Sequence, residues 1–129
     1  HPERLRWIED HYDLMGKLAQ AGAWMQITAG SVTGRFGKRT RYWAERMLDD
    51  GIVHILATDA HNLRSRSPVL SEAVEAVAGR LGEQAARDMV LTRPLAVLEN
   101  ATPASAPAAI GAPRQASRPG FFKRLFKAA

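Results

Sequence analysis

The chain has 129 residues, of which 46% are hydrophobic and 24% charged, enough for one small domain with a hydrophobic core. It contains no cysteine, which excludes disulfides, thiolate metal sites and enzymes with a cysteine nucleophile. The net charge of +5 belongs to the tail, because residues 1–100 hold 13 basic and 13 acidic residues, whereas residues 101–129 hold 5 basic and none acidic. A neutral body argues against a broad nucleic-acid-binding face.

The predicted elements alternate between helix and strand over the first 58 residues. Apolar residues recur at helical spacing over residues 7–21 and again over residues 38–50. The short apolar runs 23–28 and 52–58 are typical of buried strands, and a glycine-rich loop, 29–37, follows the first of them. Strand, helix and strand in units this short predict a parallel sheet, and therefore an α/β fold.

Three further helices are predicted after the second strand. The first begins at Ser71, whose hydroxyl can cap it, the second spans residues 83–91, and the third is short and begins at Thr92. Residues 101–119 are rich in Ala, Pro and Ser and are predicted to form a disordered linker. Residues 121–127 mix aromatic and basic side chains. Weak contact with an anionic membrane surface is one hypothesis for this tail, and a solvated, disordered end is the interpretation we favour.

The start of the sequence and its longest apolar runs bear on where the protein is expected to act. The first residue is His1, no leader-like segment follows, and no apolar run approaches the 18 residues typical of a membrane span. We therefore expect a cytoplasmic protein whose sequence begins inside a longer reading frame.

Asp59 and His61 follow the predicted strand 52–58 directly, at the edge of a parallel sheet where ligands and catalytic groups gather. Residues two apart in an extended segment point the same way, so a carboxylate and an imidazole can face one point. This pair suits Mn, Fe or Zn better than Ca or Mg, which prefer oxygen ligands. The alternative is a carboxylate that caps the loop beside an exposed histidine, and the short motif alone leaves both interpretations open.

Other candidate residues are weaker when each is taken alone. His1 offers a second imidazole, although a histidine at a truncated end needs no function. Arg4, Arg64 and Arg66 are candidate phosphate ligands, because a guanidinium binds phosphate in a bidentate manner, but surface arginines are common. His54 lies in the middle of the second strand and is interpreted as a hydrogen-bonded core histidine.

Three segments in combination carry a family resemblance. They are His-Pro-Glu-Arg at 1–4, the stretch 26–37 that begins Gln-Ile-Thr-Ala-Gly-Ser, and the stretch 51–62 that ends Thr-Asp-Ala-His-Asn. In this order and spacing they resemble the second half of the PHP-type bacterial protein-tyrosine phosphatases of capsule and exopolysaccharide loci. The resemblance covers about residues 1–100. It implies the carboxyl-terminal half of a distorted (β/α)7 barrel, with metal ions at the carboxyl ends of the strands.

The resemblance also implies roles for individual residues. His1, Asp59 and His61 match metal ligands of a divalent cluster, for which Mn is expected and Fe and Zn are alternatives. Arg4 matches an arginine near the metals, and Arg66 matches an arginine on the phosphate side. Arg64 competes with Arg66 for that role, because one inserted residue in the loop would exchange them.

The implied activity is hydrolysis of phosphotyrosine in a protein, with a membrane-associated autokinase as the expected partner. The family also requires an amino-terminal His-x-His pair, further acidic ligands and another histidine, which this sequence does not contain. We therefore expect a fragment that holds part of the metal shell, is inactive by itself and folds poorly alone. The alternatives are another PHP phosphoesterase, acting on histidinol phosphate or nucleotides, and a non-catalytic interaction module.

Overall fold

The structure, a computed structural model, describes residues 1–111. Two strands, β1 and β2, pair in parallel, and six α-helices complete this part of the chain together with short 3-10 turns and one π-helical segment. The strands are β1 (Met25–Thr28) and β2 (Val53–Ala57). The helices are α1 (Tyr12–Gln20), α2 (Ala29–Val32), α3 (Lys38–Asp49), α4 (Ser71–Leu81), α5 (Glu83–Arg87) and α6 (Arg93–Leu98). The predicted α/β class with a parallel sheet is confirmed.

The hydrophobic core joins both strands to one face of each of the larger helices. On α3 the buried side chains are Trp43, Ala44, Met47 and Leu48, which recur at the spacing of a single helix face. Their partners in the core include Met15 of α1, Ile27 of β1, Val53 and Leu56 of β2, and Val77 of α4. Each fully buried aliphatic side chain stabilises the fold by about 1.5–3 kcal/mol. This burial holds the sheet in place between the helices.

The pairing of the two strands contains one skipped residue. Met25 pairs with Val53, but Gln26 pairs with Ile55, so that His54 has no partner on β1. A residue inserted in this way leaves a gap in the hydrogen-bond ladder. His54 fills it, because its Nδ1 accepts a hydrogen bond of 3.1 Å from the main-chain N–H of Met25. Its ring also stacks on Trp24 at 5.7 Å. His54 is thus a hydrogen-bonded histidine of the fold, as predicted.

We expect the free energy of unfolding to decrease as the pH falls through about 6.5, the ordinary pKa of histidine. Burial lowers the pKa of His54, and the charge of Arg93 lowers it further. The unfolded chain therefore takes up a proton at a pH where the folded chain keeps His54 neutral, which weakens the folded state towards acid. Urea denaturation of the full-length gene product between pH 5 and 8 measures this dependence.

The control for that measurement is a pair of histidine variants. His54→Phe keeps an aromatic ring beside Trp24 and cannot titrate, so its stability should change less with pH than that of the wild type. His11→Gln replaces an exposed histidine and should keep the wild-type dependence. An equal pH dependence in His54→Phe and wild type would contradict the prediction.

Three predicted boundaries differ from the structure. The first helix begins at Tyr12 instead of residue 7, because residues 5–10 form successive turns with bonds such as Asp10 N to Trp7 O (3.1 Å). The glycine-rich loop begins with a fully buried helical turn, α2. The predicted helix 83–91 is α5 followed by a π-helical segment, Asp88–Thr92, that runs directly into α6.

Residues 101–111, the first part of the predicted linker, contact the folded body. Arg93 is buried, and its guanidinium donates to the carbonyl oxygens of His54 (2.9 Å), Pro107 (2.9 Å) and Ala108 (2.7 Å). Two of these charge-assisted hydrogen bonds attach the segment to α6, and the third joins α6 to β2. The remainder of the predicted linker and the basic tail lie outside the described residues. Within residues 1–111, none of the helices has the length and apolar character required to cross a membrane.

Candidate functional site

The predicted site residues meet at the carboxyl-terminal edge of the sheet. Thr28 is the last residue of β1, and Asp59 follows the end of β2 by two residues. The 3-10 turn Pro2–Arg4 packs against β1 and places His1 and Arg4 at the same edge. The parallel pairing of Thr28 with Ala57 brings these segments together, as a parallel sheet requires.

Asp59 is the centre of this cluster. Its Oδ2 atom contacts the Nη2 atom of Arg66, lies 3.3 Å from Nη1 of Arg4, and lies 3.5 Å from Nε2 of His1. Its Oδ1 atom lies 3.9 Å from Nδ1 of His61. The backbone of Asp59 is left-handed, with a φ of 52°, a conformation that Asp and Asn tolerate better than most residues. Two guanidinium groups and two imidazoles thus lie around one carboxylate.

The loop after β2 determines which arginine reaches Asp59. The side-chain Oδ1 of Asn62 accepts hydrogen bonds from the main-chain N–H groups of Arg64 (2.9 Å), Ser65 (2.8 Å) and Arg66 (3.2 Å). The N–H of His61 donates to the carbonyl oxygen of Arg66 (2.9 Å), which closes the loop. The loop therefore turns Arg66 back onto the carboxylate, while Arg64 remains exposed.

His61 is the least enclosed member of the cluster. Its side chain is 55% exposed, and its Nδ1 lies 2.8 Å from the main-chain oxygen of Asp59. This contact holds the ring close to the backbone of the loop and leaves Nε2 as the nitrogen open to a ligand.

Glu3 is a residue of the site region that the sequence analysis did not select. It is fully buried, and its Oε1 accepts hydrogen bonds from the main-chain N–H of Thr28 (2.9 Å) and the hydroxyl of Ser31 (2.7 Å). Its Oε2 is buried and has no hydrogen-bond partner among residues 1–111. Through these hydrogen bonds, Glu3 holds the segment that contains His1 and Arg4 against the end of β1. Only its place inside His-Pro-Glu-Arg could have drawn attention to it.

Phe36 is a second residue that the sequence analysis missed. The guanidinium carbon of Arg4 lies 4.8 Å from the centre of its ring, within the range of a cation–π interaction. The ring rests against Gly30, where an added Cβ would lie 2.7 Å from a ring carbon. Gly30 thus leaves space for Phe36, whose ring in turn supports the guanidinium of Arg4. No periodic pattern in the sequence marks this contact.

The sequence model of the family described as "Capsular polysaccharide synthesis, CpsB/CapC" matches residues 1–99. The chain belongs to the CpsB/CapC family. The match contains all five predicted site residues, His1, Arg4, Asp59, His61 and Arg66, and ends one residue after α6.

Among CpsB/CapC relatives, the tyrosine-protein phosphatase YwqE of Bacillus subtilis is 36% identical over 84 residues, which are 65% of this chain and 33% of YwqE. The putative tyrosine-protein phosphatase CapC of Staphylococcus aureus is 39% identical over 72 residues, which are 56% of this chain and 28% of CapC. A crystal structure from work on YwqE and on CpsB of Streptococcus pneumoniae, both described as metal-dependent tyrosine phosphatases, matches with a TM-score of 0.72 and 33% identity. The matched region covers 79% of this chain and 41% of the chain in that crystal structure. The chain thus spans about a third of the first two relatives.

The metal implied by these CpsB/CapC relatives can be tested against the donors present. Imidazole nitrogens and a carboxylate, from His1, His61 and Asp59, are ligands suited to Mn, Fe or Zn. Within residues 1–111, however, no group of three or more His, Asp or Glu side chains is arranged to hold a metal ion. The donor types fit such a metal, and their arrangement supplies only part of a shell.

Proposed function

We propose that this chain is the carboxyl-terminal part of a metal-dependent protein-tyrosine phosphatase. The observation that carries the proposal is the convergence of His1, Arg4 and Arg66 on the single carboxylate of Asp59 at the carboxyl edge of the sheet. A proposed metal ligand, His1, and two proposed phosphate ligands, Arg4 and Arg66, then all contact the same carboxylate. The names of YwqE and CapC support the substrate class.

The missing ligands would come from the part of the relatives that this chain does not cover. In the proposed architecture, β1 and β2 are strands of a distorted (β/α)7 barrel, and upstream residues pair with them and complete the metal shell. The coverage of 41% of the matched structure supports this division. The chain as it stands would then be inactive.

His1, Asp59 and His61 would hold the metal, and Mn is the ion we propose. When bound, a divalent metal lowers the pKa of coordinated water and neutralises charge on phosphoryl oxygens. Arg4 and Arg66 would donate to the remaining phosphoryl oxygens and hold the phosphorus in line for attack. Water would form a new bond to phosphorus as the phosphorus–oxygen bond to the tyrosine breaks, which gives inorganic phosphate and a tyrosine hydroxyl that takes up the proton. The reaction needs no covalent intermediate, which agrees with a chain that lacks cysteine.

We further propose that the substrate is a tyrosine-phosphorylated protein of capsule or exopolysaccharide synthesis, and specifically a membrane-associated autokinase acted on from the cytoplasm. The family description, capsular polysaccharide synthesis, supports this assignment. The neutral charge of residues 1–100 does not favour a nucleic-acid substrate.

The test is hydrolysis of a phosphotyrosine peptide by the full-length gene product with added Mn, beside histidinol phosphate and a nucleoside monophosphate. We expect phosphate release from the peptide, loss of activity after chelation and recovery when Mn is returned. Preference for either small phosphate ester would assign the chain to another phosphoesterase class. Full activity after all metal is removed would overturn the mechanism.

A further inference from the structure

The two ring nitrogens of His1 face different groups. Nδ1 lies 2.9 Å from the hydroxyl oxygen of Thr28, which is a hydrogen bond. Nε2 faces Oδ2 of Asp59 at 3.5 Å, beyond an ordinary hydrogen bond. The ring is therefore held through Nδ1, and Nε2 points into the cluster of charged side chains around Asp59.

Thr28 is a rigid support for this contact. It is fully buried, it pairs with Ala57 in the sheet, and its own N–H donates to Glu3 Oε1 at 2.9 Å. The same oxygen of Glu3 binds the hydroxyl of Ser31. Since Glu3 lies two residues from His1, one buried carboxylate fixes both the imidazole's own segment and the residue that contacts the imidazole.

We propose that Thr28 is a positioning residue that sets the ring plane and tautomer of His1. In this arrangement the hydroxyl oxygen accepts from Nδ1–H, and the lone pair of Nε2 is left for a divalent metal. A histidine that binds metal through one nitrogen generally donates from the other to an oxygen acceptor. The inference rests on the proposed function, because it takes His1 as a metal ligand, and it assigns to Thr28 a role that no motif in the sequence indicates.

The test is calorimetric titration of the metal-stripped full-length gene product with Mn²⁺. Thr28→Val keeps the size and β-branching of threonine but lacks the hydroxyl, whereas Thr28→Ser keeps the hydroxyl. We expect Thr28→Val to bind Mn²⁺ about 10–100-fold more weakly, the usual cost of losing a group that orients a ligand. Thr28→Ser should stay within a few-fold of the wild type. His1→Ala serves as the reference for loss of the ligand itself.

The outcomes separate this inference from the proposed function. If Thr28→Val binds Mn²⁺ like the wild type while His1→Ala does not, the metal site stands and the role of Thr28 is wrong. If His1→Ala binds Mn²⁺ like the wild type, His1 is not a ligand and both assignments fail. Circular dichroism establishes that each variant folds, and Thr28→Ala replaces Thr28→Val if the valine variant does not.

Discussion

Replacing Asp59 with asparagine is expected to reduce phosphotyrosine hydrolysis by the full-length gene product by at least about 100-fold. Loss of a group that only orients a metal ligand typically costs 10–100-fold, and Asp59 is proposed as a ligand itself. Asparagine keeps the size of the side chain and tolerates the left-handed backbone at this position, where φ is 52°. The loss would therefore reflect the missing charge rather than a distorted loop. The measurement is kcat/KM with a phosphotyrosine peptide at saturating Mn.

Asp13→Asn provides the matched control for Asp59→Asn. Asp13 is an exposed carboxylate of α1 that forms an ion pair of 2.7 Å with Lys17, four residues further along the helix. Exposed pairs of this kind contribute little, so activity and metal affinity should both remain at the wild-type level. If Asp59→Asn retained wild-type activity, the cluster around Asp59 would be structural and its assignment as a metal ligand would be wrong.

Arg66→Ala is expected to reduce kcat by about 10²–10³-fold, whereas Arg64→Ala should leave it unchanged. One preorganised donor to a developing negative charge is commonly worth that much. The loop 59–66 turns Arg66 onto Asp59 and leaves Arg64 exposed, although the two arginines are only two residues apart. Steady-state kinetics of both variants measure the difference directly.

Arg64→Ala is also the control for Arg66→Ala, because both substitutions remove the same charge and the same side-chain length from one loop. Arg66→Lys adds a further comparison, because lysine keeps the charge but lacks the planar pair of donors, and it should recover only part of the activity. Equal losses in Arg64→Ala and Arg66→Ala would indicate a general effect of positive charge near the substrate. A loss of activity confined to Arg64→Ala would assign the phosphate contact to Arg64 instead of Arg66.

The sequence predicted the elements of the fold better than their ends. The runs 23–28 and 52–58 became strands because they are apolar and short, and the helical spacing of Trp43, Met47 and Leu48 marked the buried face of α3. Helix α1 begins five residues later than the hydrophobic spacing predicts, because Trp7 and Ile8 fit a helical pattern although they lie in turns. The spacing of hydrophobic residues indicates which side chains are buried, but side chains in turns can be buried as well, so spacing alone does not locate the end of a helix.

For the site, the sequence indicated which residues to consider but not how they are supported. Asp59 and His61 were recognisable from their place after a strand, and the structure does bring Arg4, Arg66 and His1 to that carboxylate. The sequence left Arg64 and Arg66 as alternatives, because the loop geometry depends on three hydrogen bonds to one oxygen of Asn62.

Supporting residues from distant segments could not be found in this way. Glu3 meets Thr28 and Ser31 across about 25 positions of the sequence, and a buried carboxylate is contrary to the ordinary preference of glutamate for the surface. Arg93 presented the same difficulty. It binds the carbonyl oxygens of Pro107 and Ala108, a contact that the Ala- and Pro-rich composition of that segment does not indicate.

The path of that segment determines where residue 111 lies relative to the proposed site. Gly111 lies against Asp49 and Gly51, at the entrance of β2, whereas Asp59 lies beyond the exit of the same strand. The five residues of β2 separate the two points by roughly 15 Å. An affinity tag or fluorescent protein fused behind residue 111 therefore starts from the face opposite the proposed substrate opening.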